Sequence, residues 1–191
     1  MTSHGSIDFV TTGIVHPGLL AQRRARDAVL DAVHRSREGA SCSLRPRRGV
    51  RSIAESCASR PALIALYLHH AKDAPGVVSA LSDYVGGGGA LLGLHSATAS
   101  FKGDAAWREL WGGYFCGHGP VGDVTLVREP AHAGGRDAHA RVGALPDRIR
   151  LRDEAYEHVF VRDVDVWYRW ENGEPAVWSG RYGEGRVGYL A

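Results

Sequence analysis

The size and composition of the chain are those of one globular domain. It has 191 residues, 44% of them hydrophobic and 23% charged, and its formal net charge is +2. At this length, folding removes about 70% of the surface of the unfolded chain from water, so a substantial core can form. These values exclude a disordered chain and a fibrous repeat. Because no internal repeat, low-complexity tract or long linker interrupts the sequence, we predict a single domain over residues 1–191.

The charged residues and the cysteines limit which binding partners, metal sites and cellular locations are expected. The arginines cluster only at Arg45, Arg47, Arg48 and Arg51. Aromatic residues that would stack on bases lie mostly in the last third, so we interpret this cluster as a solvated loop and expect no nucleic-acid partner. Three cysteines without a C-x-x-C spacing indicate neither a disulfide framework nor a thiolate zinc site. The sequence shows no signal peptide and no long apolar run, so we expect a cytoplasmic protein without membrane contact. A homo-oligomer is one possible state of assembly.

The first two thirds of the chain alternate strands with helices. This order is typical of an α/β fold whose parallel sheet carries helices on both faces. The predicted strands cover residues 7–15, 41–44, 62–68 and 90–94, and the predicted helices cover residues 19–34, 75–85 and 104–111.

The remaining third follows another pattern. We interpret residues 112–119 as a glycine-rich turn and the polar residues 131–141 as a surface excursion. Apolar stretches in this part predict mostly antiparallel strands added to the sheet. The stretches are residues 149–151, 159–161, 166–170, 176–179 and 186–190, whereas residues 121–128 are predicted as a further strand of the first, alternating part. Trp167, Trp170 and Trp178 favour core packing over a ligand-binding surface.

Several histidines follow predicted strands of the parallel sheet. His16 follows the first strand, His69 and His70 follow the third, and His95 follows the fourth. Ligands of open parallel sheets bind at the carboxyl ends of the strands, so these imidazoles are expected at one edge.

The sharpest local setting is that of His95, in Gly93-Leu94-His95-Ser96-Ala97, which we call the His95 turn. The small residues and the direct strand-to-turn step resemble a nucleophile elbow, which holds one side chain above the sheet. An imidazole there can act as a base, bind a metal or hydrogen-bond a sugar, but it replaces a nucleophilic cysteine poorly. The alternative is a histidine that only caps the turn. Since a second glycine is missing from G-x-S-x-G, Ser96 is not expected to be a nucleophile.

Two further groups carry candidate chemistry. His118 lies in Gly117-His118-Gly119, where glycines let a ligand approach closely, although an exposed loop histidine is the alternative. Asp153 and Glu154 stand next to Ala155 and Tyr156, so two carboxylates and a ring can supply a base, a metal ligand or sugar hydrogen bonds. The charged neighbours favour a solvated surface pair instead.

Taken in order, these motifs resemble the ThuA-like family, associated with trehalose utilisation. The motifs are GGGGALLGLHSATASF, GGYFCGHGP, HARVGALPDRIRLRDEAYE and PAVWSGRYGEGRVGYL. Three of the family's motifs contain a histidine. The G-x-H turn corresponds to His95, the histidine after a glycine-glycine-x-phenylalanine turn corresponds to His118, and the histidine before "glycine-leucine-proline" corresponds to His139. The family's D-E-x-Y motif corresponds to residues 153–156, and its P-x-W with G-x-G-R-V corresponds to residues 175–187. The resemblance implies a flavodoxin-like fold, similar to class I glutamine amidotransferases. Since His95 stands where those enzymes carry cysteine, amidotransfer is not expected.

The resemblance also implies carbohydrate catabolism on trehalose-related or keto disaccharides, by a hydrolase or a lyase or isomerase. The expected catalytic residues are His95, His118 and Glu154, and the expected sugar contacts are His16, Ser96, Asp153 and Tyr156.

Three hypotheses about this site stay open. In the first, a divalent metal such as zinc binds His95 and His118, with His70 and Glu154 as further ligands, because imidazoles with one carboxylate and an open water position suit zinc. In the second, His95 and Glu154 exchange protons with a keto sugar without a metal. In the third, the domain binds a sugar or a partner and has lost turnover. Members of the family continue past the position of Ala191, so an incomplete site wall belongs to this third alternative.

Overall fold

The computed structural model describes residues 5–11, 24, 26–28, 31, 43–72, 74–130 and 146–191. The strands are β1 (Ser6–Thr11), β2 (Ser43–Arg48), β3 (Leu63–Tyr67), β4 (Ala90–Leu94), β5 (Gly113–His118), β6 (Gly122–Arg128), β7 (Arg148–Asp153), β8 (Tyr156–Phe160), β9 (Asp165–Trp170), β10 (Pro175–Tyr182) and β11 (Gly185–Leu190). The helices are α1 (Ser52–Ser59), α2 (Val77–Gly86) and α3 (Ala105–Trp111), with a 3-10 helix at His95–Ala99.

One mixed sheet of nine strands organises the domain, in the order β2-β1-β3-β4-β11-β10-β9-β6-β7. The five strands from β2 to β11 run parallel, and the pairings from β11 to β7 are antiparallel. Strands β5 and β8 form a separate antiparallel pair. The predicted α/β class with antiparallel strands added at the C-terminal end is therefore confirmed.

Helices α1, α2 and α3 pack on one face of the parallel strands because each carries an apolar stripe. Leu81 of α2 is fully buried, and so are Trp107 and Trp111 of α3. They meet Leu66 of β3 and Leu91 of β4 in the largest buried cluster. Helix α3 begins at Asp104, whose carboxylate accepts the N–H groups of the first turn, as an N-cap residue does.

Gly93 lets a helix pack closely on the middle of the sheet. A Cβ atom at this position would lie 2.7 Å from the ring of Trp111 and 3.2 Å from the ring of Tyr189. The neighbours at this close approach are two aromatic side chains, one from α3 and one from β11.

The interpretation of the arginine cluster as a solvated loop is wrong. Arg45 and Arg47 lie in β2, an edge strand, and both bind the carboxylate of Asp8. Asp8 is fully buried in β1, and its Oδ1 lies 2.6 Å from Nε of Arg45. A buried carboxylate needs a partner, and the neighbouring parallel strand supplies two.

The glycine-rich turn predicted over residues 112–119 is a strand in the structure. Residues 113–118 form β5 and pair with β8, with an irregularity between Phe115 and Gly117. Glycine is required here for close strand contact, since a Cβ at Gly113 would lie 2.9 Å from the carbonyl oxygen of Val159.

Part of the predicted organisation falls outside the described residues. The helix predicted over residues 19–34 is described only at residues 24, 26–28 and 31, which are helical. The surface excursion at residues 131–141 is not described, nor is the end of the first predicted strand beyond Thr11. Across the described ranges, no helix is long and apolar enough to cross a membrane.

Candidate functional site

The candidate site lies at the carboxyl edge of the parallel strands. Strand β3 ends at Tyr67 and β4 ends directly before His95. The short connection from β7 to β8 brings Asp153 and Tyr156 to the same edge, next to His95. Side chains far apart in the sequence therefore meet where the fold gathers its loops.

The backbone at the His95 turn is held in an unusual conformation. His95 has a φ of +47°, in the left-handed region that residues other than glycine seldom adopt. The hydroxyl of Tyr189 donates to the carbonyl oxygen of His95 over 2.6 Å. The hydroxyl of Ser96 donates to the carbonyl oxygen of Leu68, also over 2.6 Å. Because Ser96 is buried and engaged in this bond, it positions the turn and is not exposed to a sugar.

Both ring nitrogens of His95 have partners in the protein. Nδ1 lies 3.0 Å from the hydroxyl of Tyr156, and Nε2 lies 3.4 Å from Oδ1 of Asp153. A carboxylate accepts a proton more readily than a phenol does, so Nε2 carries the hydrogen and Nδ1 accepts from Tyr156. The Nε2 bond is long and weak, which allows a ligand oxygen to compete for that hydrogen.

The pKa values of the two partners agree with this assignment. Burial raises the pKa of Tyr156, and the charges of Glu154 and Asp153 raise it further, so its hydroxyl stays protonated and donates. Burial opposes ionisation of Asp153, but hydrogen bonds from His95 and from the N–H of Glu154 outweigh it and lower the pKa of Asp153. Asp153 therefore carries the negative charge.

His118 supplies a second imidazole with a different orientation. Its Nδ1 donates to the carbonyl oxygen of Gly119 over 2.7 Å, which leaves Nε2 as the nitrogen with the free lone pair. Its side chain is 44% exposed, and Nδ1 lies 3.8 Å from Oε1 of Glu154. His118 is thus available as a base, whereas His95 is fixed as a donor.

Aromatic rings join the two histidines. The ring of Tyr156 has its centroid 4.7 Å from that of His95 and 5.9 Å from that of His118. The ring of Phe115 contacts both, with its centroid 4.7 Å from that of Tyr156 and 5.9 Å from that of His118. The three residues expected to be catalytic, His95, His118 and Glu154, therefore gather around one tyrosine.

Sequence reasoning missed two members of this group. Tyr67 is half-buried with its ring centroid 5.8 Å from that of His95, and burial together with Asp153 and Glu154 raises its pKa. Its position at the end of β3, just before His69, was the available signal. Tyr189 gave no such signal, because only the pairing of β11 with β4 brings it beside His95.

A buried histidine ties the His95 turn to β8. Nε2 of His158 lies 3.0 Å from the hydroxyl of Thr98, in the 3-10 helix that begins at His95. Burial lowers the pKa of His158 to about 3, so it is neutral at ordinary pH. Its ring packs edge-on against Trp178 and Tyr189. The turn is therefore held from β8 as well as from β11.

Of the other predicted site residues, His70 contacts the edge of this group through Phe115, with ring centroids 6.5 Å apart. Among the described residues, no three His, Cys, Asp or Glu side chains approach closely enough to hold a metal ion. The zinc hypothesis for His95, His118 and His70 thus has no ligand set in this part of the chain. His16 and His139 lie outside the described residues.

Comparison with solved structures identifies proteins of similar fold. A ThuA-like protein from Parabacteroides merdae is 16% identical with a TM-score of 0.70, over 97% of this chain and 78% of that chain. One from Bacteroides uniformis is 15% identical with a TM-score of 0.73, over 98% and 81%. The β-galactosidase of Bacillus circulans is 11% identical with a TM-score of 0.65, over 96% of this chain and 28% of that chain. At these identities the likeness concerns the fold alone.

The sequence comparisons give the family. No curated protein matches this chain significantly. The family model for ThuA, described as trehalose utilisation, matches residues 58–191, which include every element from the end of α1 to β11. The chain therefore belongs to the ThuA family.

Proposed function

We propose that this protein is an enzyme of carbohydrate catabolism that moves protons on a keto sugar. The observation that carries the proposal is the hydrogen-bonded row from Tyr156 to His95 and on to Asp153, with distances of 3.0 and 3.4 Å. Such a row fixes one tautomer of an imidazole and the direction of its N–H, which a structural histidine does not need. The family's association with trehalose utilisation supports a sugar as the substrate.

The proposed role of each side chain follows from which of its atoms can still bind a substrate. His95 Nε2–H donates to the carbonyl oxygen of the sugar in place of its long bond to Asp153. His118 Nε2 removes the proton from the carbon next to that carbonyl, and the electron pair of the broken C–H bond moves to the carbonyl oxygen as an enediolate. Return of the proton to a neighbouring carbon, or loss of a leaving group, gives an isomerase or a lyase. Asp153 and Glu154 hold sugar hydroxyls, and Tyr156 is a positioning residue.

Proton exchange with solvent tests this reaction without knowledge of the product. The protein is incubated in D₂O with trehalose and with a keto form of trehalose, and ¹H NMR follows the signal of the carbon-bound hydrogen next to the carbonyl. We expect exchange with the keto sugar, and a loss of about 100-fold or more in His95→Gln and His118→Gln, the usual range for a general acid or base. Glu157→Gln, an exposed position beside Tyr156 on β8, is the matched control and should retain the parent rate.

Absence of exchange and of sugar consumption in the parent would refute the reaction. A second candidate, a sugar-binding or interaction domain without turnover, is favoured by one observation, namely that both nitrogens of His95 already have protein partners. Sugar binding in the NMR experiment, without exchange or consumption, would select this second function.

The metal, the location and the assembly stay predictions. Metal analysis of purified protein tests the zinc hypothesis, and equal metal content in the parent and in His95→Ala would remove His95 as a ligand. Cys57 and Cys116 are free thiols, which agrees with the predicted cytoplasmic location. Neither a nucleic-acid nor a membrane partner is proposed, and the oligomeric state is measurable by light scattering.

A further inference from the structure

A cleft of about 810 Å³ opens at the carboxyl edge of the sheet, and Lys102 in its lining contacts Phe115 of the candidate site. One wall is formed by the segment after β3, which includes His70 and Lys72, together with the first turn of α2. The opposite wall is the segment between the 3-10 helix and α3, which includes Lys102. The cleft is large enough for a monosaccharide with a charged substituent.

The two walls of this cleft are tied together by hydrogen bonds. The N–H of Phe101 donates to the carbonyl oxygen of Ala71 over 2.9 Å, and the N–H of Ala71 donates to the hydroxyl of Ser100 over 3.0 Å. His70 and Phe101 both have a φ of +46°, so the backbone of each wall is held in the left-handed region. These constraints give the cleft a fixed shape, which favours a binding site over an accidental gap.

The positive charges of the cleft are carried by lysine, which is rare in this chain. Of its 23 lysines and arginines, only Lys72 and Lys102 are lysines, and both line the cleft. Lysine presents a compact ammonium group with three donors and binds phosphate or carboxylate as a point charge. A sequence that otherwise uses arginine for its positive charges has lysine at both cleft positions.

Within the described part of the chain, neither ammonium group has a carboxylate partner, whereas Arg45, Arg47 and Arg128 each form ion pairs. Asp104 also lines the cleft, but its Oδ1 accepts the N–H groups of Ala106 and Trp107 at the start of α3. Among the described residues that line the cleft there are thus two ammonium groups and one carboxylate, so the lining carries a net positive charge, and its concave shape strengthens the attraction for an anion.

The cleft adjoins the site of proton transfer. Nζ of Lys102 lies 5.1 Å from the ring centroid of Phe115, in cation–π contact. The same ring lies 4.7 Å from Tyr156, which binds His95. The ring of Phe115 thus contacts both Lys102 of the cleft and Tyr156 of the row of hydrogen bonds.

We propose that this cleft binds the anionic group, a phosphate or a carboxylate, of a sugar whose reacting carbon lies at His95 and His118. This inference rests on the proposed function for the placement of the sugar, and it narrows the substrate class from sugars to acidic or phosphorylated sugars. Lys72 and Lys102 provide the charge, and Phe115 forms the boundary between the two subsites.

Isothermal titration of the full chain tests the cleft by itself. The probes are inorganic phosphate, glucose 6-phosphate, glucuronate and glucose, and comparison of phosphorylated with carboxylate probes identifies the anion. We expect the anionic sugars to bind more tightly than glucose. Each of Lys72→Gln and Lys102→Gln should weaken that binding about tenfold, the equivalent of one charge-assisted hydrogen bond. Arg186→Gln is the matched control: it removes the same charge at the opposite edge of the sheet, where β11 begins, and should bind like the parent.

Two results would overturn the inference: no anionic probe binds the parent, or Arg186→Gln weakens binding as much as the lysine variants do. The test of the cleft and the test of the proposed reaction can fail independently of each other. Lysine-dependent binding without proton exchange on any sugar would retain the cleft and refute the reaction. Proton exchange on a neutral keto sugar, with no preference for anions, would do the reverse.

Discussion

The hydroxyl of Tyr189 in β11 donates a 2.6 Å hydrogen bond to the carbonyl oxygen of His95 at the end of β4. It therefore bridges two adjacent strands at a residue whose φ of +47° is unfavourable for any side chain. Tyr189 is almost fully buried, so the bond is shielded from water. The orientation of the imidazole depends on the strand next to it as much as on its own turn.

Tyr189→Phe is expected to lower the free energy of unfolding by about 1–2 kcal/mol, because the carbonyl loses a buried donor. It should also shift the NMR signals of the His95 ring. Tyr168→Phe is the matched control, since that buried tyrosine also donates to a backbone carbonyl, at Pro146, outside the site. Urea unfolding and ¹H–¹⁵N spectra of both variants check this. Unchanged His95 signals in Tyr189→Phe would contradict the positioning role.

The tautomer of His95 is a second measurable consequence. Long-range ¹H–¹⁵N correlation should show the hydrogen on Nε2, opposite Asp153. In Asp153→Asn the side-chain amide can donate to Nε2, which favours the hydrogen on Nδ1 and disrupts the bond from Tyr156. Asp123→Asn, at an exposed position of β6, should leave the tautomer unchanged. A parent spectrum with the hydrogen on Nδ1 would refute the proposed donor role.

His158 should make the fold sensitive to acid. Burial lowers its folded pKa to about 3 from the ordinary value of 6.5, so below 6.5 the unfolded chain takes up a proton that the folded chain does not. Stability is therefore lost as the pH falls, and the His158 share of the loss between pH 7 and pH 5 is about 2 kcal/mol. The variant His158→Gln should not show this part of the pH-dependent loss of stability. Denaturant unfolding at both pH values gives the difference, and equal pH dependence in the parent and the variant would contradict it.

Gly93→Ala is expected to destabilise the fold by about 1–3 kcal/mol, because the added methyl group overlaps the ring of Trp111. Gly103→Ala provides the matched control, since a Cβ there meets nothing within 4 Å. Thermal unfolding of both variants distinguishes a packing effect from a general effect of removing glycine. Equal midpoints for the two variants would count against the close contact.

The ion pairs at the sheet edge give a further comparison. Arg45→Gln leaves the buried carboxylate of Asp8 with Arg47 as its remaining partner and is expected to lower the unfolding free energy by about 1–2 kcal/mol. Arg48→Gln, at an exposed position of the same strand, should change it by less than about 0.5 kcal/mol. Urea unfolding measures both, and the proposed pairing fails if the two losses are equal.

The elements around His95 could be predicted because their signals are local. The apolar run at residues 90–94, its glycine and its abrupt end define β4 and the turn without reference to the rest of the chain. The common edge of parallel strands then places His95 at the carboxyl side. Asp153 and Tyr156 carried the right chemistry, but their charged neighbours favoured a solvated surface, which the pairing of β8 with β5 overrides.

The rest of the site depends on contacts that no local pattern encodes. Tyr189 reaches His95 only because β11 lies beside β4, and His158 meets Thr98 across 60 positions of the sequence. The strand at residues 113–118 was hidden by its glycines, which are local turn signals but here allow two strands to approach closely. Long-range pairing decides these cases, and composition does not.

The position of β11 between β4 and β10 also constrains how the protein is made. A ribosome releases strands β1 to β4 before residues 185–190, so the inner edge of β4 stays unpaired until β11 emerges. Its carbonyl and N–H groups and the apolar side chains of β4 are then open to other extended chains, a recognised route to aggregation. The sheet closes only when β11 inserts between β4 and β10, so a chaperone that covers β4 should raise the yield of native protein.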